Sequence, residues 1–274
     1  MPPENFDKTI DGVAYGAITE VSYSSSTTGA ARKCLVYLPP NYDAAKTYPV
    51  LYLLHGIGGI HTEWTEGTPG AEAAGVGYPN EILSNLIASG EMPPAIAVFP
   101  NIRARANDED MSDFFGPDFM AAFANFINDL RDDLMPFIKN NYPVSDKREQ
   151  TAIAGLSMGG MESLFIGISM PETFGYIGAF SPAPGLLSSE SAPGRFSAAQ
   201  LTLPAAFKYN TLVFIINGKE DEVVGTNPLN YHEALQNNGV VHTYYTIDGG
   251  HDFGVWNTGL YNFAKRIFQV ETSE

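Results

Sequence analysis

Thr151-Ala152-Ile153-Ala154-Gly155-Leu156-Ser157-Met158-Gly159-Gly160 is an apolar run that breaks at a glycine-flanked serine and resumes as a helical pattern over residues 158–170. A strand, a tight G-x-S-x-G turn and a helix in that order form a nucleophile elbow. Its glycines relieve crowding at a turn whose central residue is strained, and they let the helix approach its neighbours closely. Such a turn lifts the Ser157 hydroxyl clear of the sheet. The competing reading is a glycine-rich strand-to-helix turn with an idle serine.

Outward from the elbow, short apolar runs alternate with helical patterns. The runs at residues 33–38, 50–54, 95–99, 151–154, 176–180, 212–217 and 243–247 lack strict alternation, as strands buried on both faces do. The first thirty residues, with Val13, Tyr15, Ile18, Val21 and Tyr23 among polar neighbours, read as edge strands. Residues 117–140 carry Phe119, Phe123, Phe126, Ile127, Leu130 and Leu134 on one helical stripe, which Pro136 is expected to kink or end. Shorter helices fit 81–89, 158–170, 231–237 and 256–268. The expected architecture is an α/β-hydrolase fold: a mostly parallel central sheet with helices on both faces. Residues 1–274 are expected to form one catalytic domain, with variable loops at about 103–118 and 183–204 emerging at the carboxyl edge of the sheet, where α/β proteins place their ligand sites.

A serine hydroxyl needs a positioned base to become a nucleophile. Of the five histidines, His251 lies in Asp248-Gly249-Gly250-His251-Asp252 directly after the last strand, where this fold carries its base. His242 precedes that strand and His232 falls on a helix, so both read as structural or surface residues. His61 precedes the serine, against the Ser, acid, His order, and His55 is expected to shape the adjoining glycine loop. The orienting carboxylate should follow strand 212–217, where Asn217-Gly218-Lys219-Glu220-Asp221-Glu222 offers three acids. Asp221 is the candidate, and Glu220 and Glu222 stay open. His55-Gly56-Ile57-Gly58-Gly59 matches the loop that supplies one oxyanion donor, the second being the amide after the nucleophile. The donors are therefore assigned to the backbone amides of Ile57 and Met158, with Gly56 as the alternative to Ile57.

Composition narrows the function classes. Hydrophobic residues at 44% and charged residues at 17% support a sizeable core. The formal charge of -16 is spread along the chain without a basic run, which argues against a nucleic-acid partner. The single cysteine, Cys34, lies in an apolar run, so no internal disulfide or cysteine cluster forms. The acidic segment 108–113 lacks the glycine and glutamate of an EF-hand, neither H-E-x-x-H nor a phosphate-binding glycine motif occurs, and no metal is expected. No apolar stretch reaches membrane-spanning length.

The segments 51–59, 152–160, 217–221 and 249–256, the last reading Gly-Gly-His-Asp-Phe-Gly-Val-Trp, resemble the feruloyl esterases of carbohydrate esterase family 1 within a similarity over residues 32–268. The resemblance implies a triad of Ser157, Asp221 and His251, no cofactor, and a feruloylated oligosaccharide or polysaccharide of the arabinoxylan type as substrate. It also implies secretion, as part of plant-wall degradation and in company with other modules. The start Met1-Pro2-Pro3-Glu4-Asn5 has no signal-peptide character, so secretion would need a leader outside this sequence. The elbow and glycine loop are shared with S-formylglutathione hydrolases and mycolyl transferases, which keeps a short-acyl or acetyl-xylan esterase open. A noncatalytic carbohydrate-binding protein on the same scaffold is the reading from another class, and the intact Ser157, His251 and Asp221 argue against it. Trp64, Met158, Phe114, Phe115 and Trp256 are candidates for an apolar slot around an aromatic acyl group, with core packing as the alternative.

Overall fold

The computed structural model describes residues 1–189 and 193–269. Residues 190–192 of the 183–204 loop and the last five of the expected domain lie outside the described residues. Eight strands form one sheet in the order β1-β2-β4-β3-β5-β6-β7-β8. Strands β1 (Ala17–Ser25), β2 (Ala30–Leu38) and β4 (Ile96–Pro100) pair antiparallel in turn. From β4 onward, β3 (Val50–Leu54), β5 (Thr151–Leu156), β6 (Tyr176–Phe180), β7 (Leu212–Gly218) and β8 (Thr243–Ile247) pair parallel. This is the α/β-hydrolase arrangement. The amino-terminal residues contribute one long strand paired to β2 rather than several edge strands.

Side-chain alternation along the strands divides the core into two layers. Val50, Tyr52 and Leu54 of β3 with Ile153 of β5 face one layer, while Leu51, Leu53, Ala152, Ala154 and Leu156 face the other. The first layer is covered by α3 (Pro117–Asp129), α5 (Met158–Ser169) and α6 (Asn227–Asn237), and the second by α2 (Pro79–Ala88) and α7 (Phe253–Ala264). A short helix α1 (Glu63–Glu66) follows β3. No described helix is long and apolar enough to cross a membrane.

The stripe at 117–140 is a continuous helical segment in which α3 passes through a π-helical turn, Leu130–Leu134, into α4 (Met135–Asn141). Pro136 therefore does not end the helix. The widened turn lies just before it and takes up the carbonyl clash and missing donor that a proline imposes.

The parallel strands all point their carboxyl ends to one edge, so the turns after β3, β5, β7 and β8 share a neighbourhood. Gly155 and Gly159 set the height of α5 above that edge. A methyl on Gly159 would sit 2.5 Å from the His55 carbonyl oxygen and 2.6 Å from that of Leu54, and one on Gly155 would sit 2.6 Å from the backbone of Gly159. Backbone atoms cannot yield as a flexible side chain does. Gly159→Ala is expected to push α5 off β3 and to cost on the order of 1–3 kcal/mol or more, as overpacking does. A denaturant midpoint unchanged from the wild type would show that the helix does not depend on this contact.

Candidate active site

Ser157 closes β5 and caps α5 with φ 51° and ψ -115°, a left-handed conformation that a non-glycine residue holds only under compulsion. Its amide donates to the Phe180 carbonyl at 2.8 Å and its own carbonyl accepts from Ala183 at 2.9 Å, which locks the turn between β6 and the 183–204 loop. The side chain is 7% exposed. Ser157 Oγ lies 3.0 Å from Nε2 of His251, and Nδ1 of His251 lies 2.9 Å from Oδ2 of Asp221. The structure thus brings together the three residues singled out in the sequence.

His251 stands in the loop between β8 and α7, where Trp256 meets its ring edge-on at 5.0 Å and Asp252 caps the helix by accepting from Val255 at 3.1 Å. Asp221 is buried, with Oδ1 also accepting from the amides of Val223 and Val224 at 3.2 Å. Burial pushes its carboxyl up, but the hydrogen bond and charge of His251, with the hydrogen bonds of Ser181 and the Val224 amide, together hold it below the usual range. The neighbouring acids are placed otherwise. Glu220 is exposed and accepts from the Gly249 amide at 2.7 Å, bracing the histidine loop from outside, and Glu222 is exposed.

Met158 opens α5, so its amide has no partner within the helix, and the positive end of the helix dipole is directed at the Ser157 hydroxyl's surroundings. In the loop after β3, the Gly56 amide donates to Oε2 of Glu63 at 2.5 Å, whereas the Ile57 amide is engaged by no other group among the described residues. Of the two alternatives for the first oxyanion donor, the Gly56 amide is thus occupied and the Ile57 amide is not. A methyl on Gly56 would stand 3.5 Å from Cβ of Ser157, so this loop abuts the elbow.

The remaining histidines lie apart from the serine. His61 meets Glu20 at 2.9 Å, and His232 and His242 pair with each other at 2.7 Å. His55 is buried; the Ile102 amide donates to its Nε2 at 2.8 Å, so its proton sits on Nδ1 and is donated to the Gly56 carbonyl at 2.6 Å. Cys34 is a buried strand residue.

The aromatic slot is not assembled as expected. Trp64 is 1% exposed, donates its indole N–H to the Leu54 carbonyl and packs edge-on against Phe180 and Phe253. Trp256 is 2% exposed and Met158 4%. The two tryptophans are core residues that support the site from beneath, because their large rings fill the layer under α7. Phe114 and Phe115 are exposed on the 103–118 loop, at 41% and 67%, and Phe114 leans on Phe119.

Three charged residues around the elbow escaped the sequence reading. Glu63 and Arg103 are buried and both bond backbone atoms of the glycine loop, and Glu162 is buried on α5 with Arg195 of the 183–204 loop 2.7 Å away. Burial raises the Glu162 carboxyl to about 7, against the charge and hydrogen bond of Arg195. A glutamate beside a tryptophan, or an arginine in an acidic loop, carries no local pattern that separates it from a solvated residue.

Comparison with known proteins gives a consistent set of likenesses. A family model described as a putative esterase matches residues 25–267. The chain is 32% identical to an endo-1,4-beta-xylanase/feruloyl esterase of Xylanibacter ruminicola, over 94% of this chain and 32% of that protein, so it spans about a third of that relative's length. It is 25% identical to an acetyl esterase of Caldicellulosiruptor saccharolyticus, over 80% of this chain and 83% of the relative. Among solved structures, a CE1 ferulic acid esterase from Anaeromyces mucronatus in complex with ferulic acid superposes with a TM-score of 0.88 at 32% identity, covering 97% of this chain and 96% of that one.

Burial holds the His55 ring neutral, its pKa depressed from the ordinary 6.5 to about 3, with the charge of Arg103 acting in the same sense. The unfolded chain takes up this proton below about pH 6.5 and the folded chain does not, so this contribution to stability is present above pH 6.5 and is lost as pH falls toward 3. His55→Gln is expected to remove about one proton from the pH dependence of unfolding, about 1.4 kcal/mol per pH unit between roughly pH 6 and 4. Denaturant titrations over that range test it, and parallel slopes for both proteins would contradict it.

Proposed function

The chain belongs to the putative-esterase family, alongside the CE1 ferulic acid esterases, and from that membership we propose that it releases ferulate and related hydroxycinnamates from arabinoxylan-type polysaccharide with Ser157 as nucleophile. The observation that carries the mechanism is the unbroken hydrogen-bonded line from Ser157 Oγ through His251 to Asp221, at 3.0 and 2.9 Å.

In the proposed reaction Nε2 of His251 takes the Ser157 proton as Oγ attacks the ester carbonyl carbon. Asp221 holds the ring so that Nδ1–H faces the carboxylate, and it stabilises the imidazolium that forms. The carbonyl oxygen becomes an oxyanion that accepts from the amides of Met158 and Ile57; such a donor contributes on the order of 3 kcal/mol, and only in the tetrahedral intermediate. Collapse expels the sugar oxygen, which takes the proton from His251 and leaves a feruloyl ester on Oγ. Water, deprotonated by His251, then attacks that ester, and ferulate leaves as Oγ regains a proton. Each step moves protons and electron pairs among the triad, the ester and a water molecule, so the chemistry calls for no cofactor.

The feruloyl preference and a xylan-type substrate beside a xylanase activity are carried to this chain from its relatives, and action outside the cell rests on the family resemblance alone. Phe114 and Phe115, the exposed aromatic residues of the 103–118 loop, are the candidates for substrate contact. Similarity to the acetyl esterase supports a second reading, a short-acyl esterase. Methyl ferulate compared with acetylated xylan and a formyl thioester separates the two.

Ser157→Ala is expected to raise the barrier by on the order of 5 to 8 kcal/mol and to leave folding intact. Methyl ferulate hydrolysis by the purified variant reads the effect. Turnover near the wild-type rate would remove Ser157 from the mechanism.

A further inference from the structure

The loop His55-Gly56-Ile57-Gly58-Gly59 is held by two buried side chains of opposite charge. Glu63, 1% exposed, accepts the Gly56 amide at Oε2 and the Thr68 hydroxyl at Oε1. Its carboxylate lies so close to the loop that a methyl on Gly59 would stand 2.4 Å from its Cδ. Arg103, fully buried, donates through Nη1 to the carbonyls of Gly59 and Ile57, the second at 3.4 Å. Its Nε and Nη2 are fixed by the Asp108 carbonyl at 3.1 and 2.9 Å. The Gly56 carbonyl accepts from His55 Nδ1 and from the Gly59 amide at 3.2 Å.

The Gly56 amide and the carbonyls of Gly56, Ile57 and Gly59 are therefore engaged by the protein itself, whereas the amides of Ile57 and Gly58 have no partner among the described residues, and Ile57 directly follows the Gly56 that abuts Ser157. We propose that Glu63 and Arg103 are a pair of positioning residues that clamp the oxyanion loop, Glu63 by occupying the Gly56 amide and Arg103 by gripping the carbonyls of Ile57 and Gly59, so that the Ile57 amide is held toward the developing oxyanion. The inference rests on the esterase reading of Ser157. Neither side chain touches substrate. Burial raises the Glu63 carboxyl, against the hydrogen bonds from Thr68 and the Gly56 amide and the charge of Arg103, so the guanidinium favours the charged carboxylate only in part and the hydrogen bonds are what hold Glu63 on the loop. The arrangement supplies preorganisation, since a donor already fixed in the ground state costs no reorganisation when the oxyanion forms.

The test uses 4-nitrophenyl acetate, so that it does not depend on acyl preference, together with phenylboronic acid as a mimic of the tetrahedral adduct at Ser157. Glu63→Ala is expected to lower kcat on the order of 100-fold with KM within about threefold, and to weaken phenylboronic acid by a similar factor. Glu63→Gln keeps an oxygen that accepts the Gly56 amide, and is expected to recover kcat to within about tenfold of the wild type. Should Glu63→Ala not fold, Thr68→Val, which frees one carboxylate oxygen, is expected to lower kcat by about three- to tenfold at unchanged KM. The clamp is overturned by a folded Glu63→Ala with near wild-type kcat, by a loss of kcat that leaves boronate affinity intact, by Glu63→Gln behaving like Glu63→Ala, or by an unaltered Thr68→Val. A wild-type protein that neither cleaves the ester nor binds the boronate contradicts the esterase reading itself, and the clamp falls with it.

Discussion

The left-handed turn at Ser157 is the constraint around which the rest of this molecule is arranged. A residue with a side chain is held at φ 51° only when its surroundings leave no alternative, and here they do so from three directions. The Ser157 amide is tied to β6, its carbonyl to the 183–204 loop, and α5 is drawn onto β3 through the bare backbone of Gly159. The parallel order of β3, β5, β6, β7 and β8 then brings the turns that follow β3, β7 and β8 to the same edge. The site is a consequence of strand direction as much as of the residues in it.

Electrostatics makes that edge chemically useful. The buried carboxylate of Asp221 is kept ionised by His251 and by two backbone amides, so a charge that would otherwise be costly in the interior is compensated at every oxygen it exposes. Trp256 meets the His251 ring edge-on and is itself backed edge-on by Phe253. Around the glycine loop Glu63 and Arg103 bond backbone atoms instead, Glu63 the Gly56 amide and Arg103 the Gly59 carbonyl, and burial raises the Glu63 carboxyl where that of Asp221 is lowered.

Much of this was legible in the sequence because it is local. The elbow, the apolar strands and the histidine after β8 are contiguous segments whose period or turn chemistry shows directly in the residues. The choice among Glu220, Asp221 and Glu222 was not local. It depends on which way each side chain leaves the turn, and in the structure it is Asp221 that meets His251 while Glu220 reaches the Gly249 amide. Trp64 stays open in the sequence between slot and core, because an aromatic residue near a glycine loop looks the same whether its indole points to solvent or, as here, to the Leu54 carbonyl. Glu63 and Arg103 were invisible for a related reason: charged residues are usually solvated, and these two are buried only because partners from other segments of the chain satisfy them. The helix through Pro136 shows the same limit, since the π-helical turn that accommodates the proline has no signature of its own.

The most direct measurement of the central claim is reaction of the wild-type protein with a fluorophosphonate, followed by peptide mapping and a parallel assay of ester hydrolysis. The account predicts one covalent phosphonyl group, located on Ser157, with hydrolysis lost in proportion to labelling. Hydrolysis that survives complete labelling of Ser157, or inactivation with the label on another residue, would contradict it.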